Sequence, residues 1–162
     1  MSPQSTQRTT LTNPEVPIQI KLAAAWASFM FLYIYVDYLG LYKPGVLQDI
    51  LNGRIWEFDI SQGFMVGGLA SVSLPAVMIL LSATLPARAN RPTNLAVAAI
   101  LVPYSVFNLA GGTWLYYYGL GLAIELVILA FVVRTAWSWP RTSSASLPAN
   151  TARRPSQIPL AR

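Results

Sequence analysis

Two carboxylates stand where a chain rich in apolar residues would least tolerate them. Asp37 falls in IYVDYLG and Glu125 in LAIELVI, each inside a long apolar run. An ionisable group at the centre of a membrane helix costs about 2.5–3.5 kcal/mol on insertion scales, so it tends to face a bundle interior or a wet cavity. No basic residue lies near the depth of Glu125. It therefore cannot be a simple buried ion pair, and is either a protonated acid or a carboxylate in a hydrated cavity. Tyr104 and Ser105 fall at similar depth in the preceding run and could hydrogen-bond it. Two readings stand side by side: interhelical glue, or a protonatable site or ligand anchor.

Asp37 lies one helical turn after Tyr33, on the same face. Gln62, Asn108 and the cluster Trp114, Tyr116, Tyr117, Tyr118 fall at the matching ends of the other apolar runs. Together they could line a polar, aromatic pocket open to one side of the membrane, with Lys43 or Arg54 pairing Asp37. The other reading is an ordinary interfacial belt, since Tyr and Trp gather at both membrane faces without any ligand. The candidate ligand or proton site is thus Asp37, Glu125, Tyr33, Gln62, Tyr104, Asn108 and Tyr118. Trp56, Trp114, Trp137 and Trp139 read as interface anchors. The chain has no Cys and no His. That excludes disulfides, thiol chemistry, a Ser–His triad, the usual zinc sites and His- or Cys-ligated haem. The reading contains no catalytic residue, metal or cofactor, and an enzyme is not expected.

The elements that must hold these residues follow from hydropathy. Of the 162 residues 54% are hydrophobic and only 10% charged, whereas soluble domains carry roughly 25% charged residues. The apolar residues come in blocks of the length a bilayer requires, about 20 residues of helix. The expected fold is all-α: a polytopic four-transmembrane-helix bundle over 18–137, with spans at about 18–41, 62–84, 93–110 and 114–133. Residues 1–17 and 138–162 read as disordered polar tails. The first apolar block begins too late and runs too long for a signal peptide. Pro75 and Pro103 fall inside spans two and three as expected kinks. LPARANRP reads as a basic turn between those spans, and Gly111-Gly112-Thr113 as a tight turn that makes spans three and four antiparallel neighbours. Between spans one and two, Leu47, Ile50, Leu51, Ile55, Trp56 and Phe58 fit a short amphipathic piece in the interface, or a loop with a few anchors. Gly63, Gly67 and Ser71 recur every fourth residue, a small-residue stripe for helix packing, internal or between copies. Internal use is the favoured assignment.

Orientation follows from the positive charges. With the N-terminus inside, the cytoplasmic side receives Arg8, Lys21, Arg88, Arg91, Arg134, Arg141, Arg153, Arg154 and Arg162, and the outer side only Lys43 and Arg54. The positive-inside rule then puts both termini in the cytoplasm. The net charge of +5 is explained as a topology signal, and no nucleic-acid partner is expected.

Three stretches, KLAAAWASFMFLYIYVDYLGLYKPG, AVMILLSATLPARANRPTNLAVA and YYYGLGLAIELVILAFVVRTAWSW, resemble a family of short bacterial four-helix membrane proteins known only as a domain of unknown function. The layout is also loosely similar to DoxX-like membrane proteins. The resemblance implies the topology and a bacterial cytoplasmic membrane, and brings no assigned residues. The expected function is a non-enzymatic accessory or interaction subunit, or a binder of lipid or a small ligand. Its partners would be membrane lipids, another membrane protein or a second copy of itself. The alternative is a small oligomeric proton-coupled transporter or channel using Glu125 and Asp37. Four spans without an inverted repeat weigh against it.

Overall fold

A computed structural model of the protein describes residues 14–109 and 113–140. Both polar tails beyond Pro140 and before Pro14, and the Gly111-Gly112 turn, lie outside the described residues.

Four long helices dominate: α1 (Ile18–Gly40), α3 (Gln62–Thr84), α4 (Ala87–Asn108) and α5 (Leu115–Trp137), with a short α2 (Val46–Leu51) and a two-stranded hairpin between α1 and α3. Three of them, α1, α3 and α5, are long and apolar enough to cross a membrane. Their outward residues are apolar as well: Phe31, Leu69 and Val127 are each about two-thirds exposed, at 66%, 69% and 68%. Helices with apolar residues all round fit a membrane protein.

The fourth long helix differs from expectation at its start. Ala87–Asn108 absorbs the ARANRP stretch that reads as a turn, so the α3–α4 connection is only Leu85-Pro86. Pro86 is the reason. Its ring presets the backbone at φ −65° beside the helix entry, and its carbonyl accepts from both Ala89 N and Asn90 N. The expected span at 93 therefore begins six residues early. Helix α5 likewise runs on to Trp137 rather than stopping at 133. Pro75 and Pro103 both sit within continuous helices.

The segment between α1 and α3 is an ordered corner. Gly45 (φ 91°) caps α2 and Gly53 (φ 80°) leaves it, both in the left-handed region that glycine enters without a Cβ penalty. The hairpin strands, β1 (Arg54–Ile55) and β2 (Phe58–Asp59), pair Arg54 with Asp59 and Ile55 with Phe58.

α1 packs against α3 on one side and α5 on the other, and α4 packs against α5. One cluster threads them: Leu22, Trp26, Phe29 and Tyr33 of α1, Met78 of α3, Val97, Ala98 and Leu101 of α4, Leu129, Val132 and Ala136 of α5. At the α1–α5 seam Gly121 leaves little room, since a Cβ there would meet Val36 Cγ2 at 3.0 Å.

Candidate functional site

Polar side chains collect at three levels along the bundle. At the end holding the starts of α1 and α4 and the ends of α3 and α5, four fully buried residues form one network. Asn94 Oδ1 accepts from Trp26 Nε1 at 2.6 Å and from Ser82 Oγ at 3.2 Å. Asn94 Nδ2 donates to Asn90 Oδ1 at 2.6 Å and to the Asn90 carbonyl at 2.9 Å. Asn90 Nδ2 in turn donates to the carbonyls of Ser82, at 2.7 Å, and Leu85, at 3.3 Å. Those carbonyls belong to the last turn of α3 and the residue after it, where the helix has run out of its own donors. Asn90 thus acts as a side-chain cap supplied by the next helix. Trp26, Ser82, Asn90 and Asn94 are all 0% exposed, and both amides use every donor they have.

Reading LPARANRP as a turn leaves Asn90 outside the helices and hides this network. The signal was there in outline: Asn90 and Asn94 are four residues apart, hence on one helix face, and a buried tryptophan needs an acceptor for its indole N–H.

The second level is the middle of the bundle. Tyr33 Oη lies 3.1 Å from Tyr104 Oη, Tyr104 Oη donates to Ser71 Oγ at 3.2 Å, and Ser71 Oγ donates to the Gly68 carbonyl at 2.7 Å. Because Tyr104 gives its proton to Ser71, Tyr33 must be the donor of the first bond. A one-way chain of three donors therefore ends on a backbone carbonyl. Tyr33 also stacks between Phe29 and Tyr104, with ring centroids 6.1 and 6.5 Å away. Glu125 is 5% exposed and faces Ser105, rather than Tyr104, across the α4–α5 interface. The Ser105 hydroxyl is buried without a well-formed hydrogen bond among the described residues.

The third level is the opposite, tyrosine-rich end. Asp37 is exposed there, within electrostatic reach of Glu125, Tyr33 and Tyr117. The Asn108 amide lies beside the Tyr33 hydroxyl. Tyr117 donates to the Val36 carbonyl at 2.8 Å, and Lys43 Nζ sits 5.9 Å from the Tyr118 ring centre. A small crevice of about 20 Å³ is lined by Leu39, Gly40, Lys43, Trp114, Tyr117 and Tyr118. Neither basic residue expected beside Asp37 pairs with it. The hairpin register sets Arg54 opposite Asp59, 3.9 Å away, in the only ion pair among the described residues, and Lys43 turns to Tyr118. Gln62 begins α3 exposed, with no side-chain bond to the other candidates.

Of the expected anchors, Trp56 and Trp114 are exposed at the tyrosine-rich end, and Trp137 is 68% exposed at the other. Trp139 is half-buried against the core. The small-residue stripe divides. Ser71 turns inward to Tyr104, whereas a Cβ on Gly67 or Gly68 would meet nothing within 4 Å. No group of three or more metal-ligating side chains occurs among the described residues.

The model of a family of unknown function, DUF6326, matches residues 17–146, which takes in every helix described above. The chain belongs to that family. No curated protein and no solved structure matches it.

Proposed function

We propose that the chain is a non-enzymatic interaction protein of a bacterial cytoplasmic membrane. In this reading α4 completes a four-span bundle, both termini lie in the cytoplasm, and α3 receives a helix from another membrane protein or from a second copy. The carrying observation is the state of α3. It buries only Pro75, Met78 and Ser82 of its 23 residues, and its Gly67-Gly68 backbone is bare. Small residues on a lipid-facing surface let a second backbone approach closely, which is the main source of helix–helix energy inside a bilayer. The orientation is supported by the gathering of Lys21, Arg88, Arg91 and Arg134 toward one end.

The absence of cysteine from the chain makes the test direct. Val66→Cys and Ala70→Cys on the bare face are expected to give disulfide-linked products in native membranes, and Gly67→Leu to abolish them. Products that form equally well from Phe107→Cys on α4 would reflect random collision and would overturn the reading.

A second reading, the oligomeric proton-coupled carrier, has one observation in its favour: Glu125 is buried within electrostatic reach of Asp37, beside the Tyr33–Tyr104–Ser71 chain. It requires proton-linked flux in liposomes that Glu125→Gln removes while leaving the fold intact.

A further inference from the structure

The basic end carries a groove that neither the interaction reading nor the carrier reading uses. It has a volume of about 630 Å³ and is lined by Ala87, Arg88, Arg91, Pro92, Leu95, Trp139 and Pro140. That volume lies within the range of small-ligand sites, about 300–1,000 Å³.

Its walls divide by chemistry. Two guanidinium groups come from the first turns of α4, and Leu95, Pro92, Trp139 and Pro140 supply an apolar side. Arg91 is held in place: its guanidinium carbon lies 5.5 Å from the Trp137 ring centre, a cation–π arrangement. Its Nε is buried and has no hydrogen-bond partner among the described residues. A buried charged donor left unpaired is costly, so an acceptor at that position would be stabilising. No carboxylate among the described residues supplies one. Glu15, the acid nearest this end in sequence, makes no ion pair among the described residues, and Lys21 and Arg134 add to the positive side. The Ala87 and Arg88 amides at the uncapped start of α4 add further donors of the same sign.

We propose that this groove binds a phosphate group, with the two arginines on the phosphate oxygens and the apolar wall against an attached hydrocarbon chain. Planar guanidinium groups match phosphate oxygens in paired hydrogen bonds, which lysine cannot reproduce. The Trp137 and Trp139 rings mark headgroup depth at the end of an apolar helix. An anionic phospholipid would therefore present its phosphate at the level of the arginines.

The test uses the full chain, exchanged from detergent into vesicles of phosphatidylcholine with or without phosphatidylglycerol, and native mass spectrometry of the released protein. Retained phosphatidylglycerol adducts are expected on the parent chain. Each of Arg88→Gln and Arg91→Gln should reduce them about tenfold or more, the scale of a lost charge-assisted hydrogen bond. Arg88 is exposed, so its variant carries the test even where Arg91→Gln fails to fold. Arg134→Gln removes the same charge from the same end without lining the groove, and should leave the adducts in place. Inorganic phosphate that displaces the lipid at millimolar concentration would identify free phosphate as the source and keep the phosphate site. Equal retention by the parent and the Arg88→Gln chain, or equal loss with Arg134→Gln, would mean diffuse charge attraction and would overturn the proposal.

Discussion

The two ends of the bundle solve the same problem in opposite ways. At the basic end, Trp26, Ser82, Asn90 and Asn94 are sealed from solvent and every amide donor is used. At the tyrosine-rich end, Asp37 and Asn108 are exposed, and Tyr38 and Tyr42 bond each other at 3.1 Å on the surface. That bond holds the Tyr42 hydroxyl above the ordinary phenol pKa. A closed polar network fixes helix positions, because each member is expensive to leave unpaired. An open one leaves its members free to rearrange with water or a ligand. The contrast makes the basic end the rigid clamp of the fold and the tyrosine-rich end the adaptable one.

The largest expected effect breaks the clamp. Asn94→Leu removes the acceptor of both Trp26 Nε1 and Ser82 Oγ and a donor to Asn90. Orphaned buried groups cost about 1–3 kcal/mol each, so the variant should lose about 3 kcal/mol in a reversible unfolding assay in bilayer or micelle. A loss as small as that of a single mid-bundle hydroxyl would erase the distinction between the ends. Next comes Gly121→Leu. Its side chain would run into Val36, already 3.0 Å from a Cβ at that position, and overpacking of this kind costs about 1–3 kcal/mol. Gly67→Leu adds the same atoms where nothing lies within 4 Å. It should leave the unfolding midpoint unchanged and affect only association with a partner helix.

Helix existence was legible because it depends on apolar run length alone. Ile18–Gly40 and Gln62–Thr84 follow from blocks that end in Pro-Gly and at Leu85-Pro86. The start of α4 was not, because ARANRP has the composition of a turn and becomes helical through tertiary contacts, with Asn90 buried against the end of α3 and bonded to Asn94. The candidate site was legible in part. Tyr33, Tyr104 and Asn108 do gather, since equal depth on adjacent helices brings such residues within reach. Which partner each takes was not legible. Tyr104 turns to Ser71 and leaves Glu125 to Ser105, a choice set by helix rotation, which hydropathy does not encode. Nor could charge alone assign Arg54, whose partner Asp59 is fixed by the hairpin register.

At the middle level, Tyr104→Phe tests how much the donor chain contributes between the two ends. It removes the bonds to Tyr33 and Ser71 and leaves the stacked ring in place. Hydrogen bonds between membrane helices average about 0.6 kcal/mol, so a loss of about 1 kcal/mol is expected in the same assay. Tyr33→Phe should then cost almost nothing further in the double variant, because its hydroxyl has already lost its acceptor. Full additivity would mean that the two hydroxyls act separately and that no chain exists.

The smallest effect comes from the hairpin of the adaptable end. Trp56 sits at φ 54°, a left-handed conformation that side chains other than glycine rarely adopt. Strain of this kind is of order 1–3 kcal/mol, and Trp56→Gly would relieve it. The same change deletes the edge contact to Phe58, 6.0 Å between ring centres, and an exposed ring at the expected headgroup level. The two effects oppose each other, and the surroundings decide the sign. In detergent, where no headgroup layer holds the ring, the glycine variant should slow amide exchange at Ile60, whose N–H closes onto the Gly53 carbonyl at 2.7 Å. In a bilayer the lost anchor should offset the gain and return exchange to the parent rate. Faster exchange in both media would mean that the Trp56 ring holds the hairpin through Phe58 alone and is not a membrane anchor.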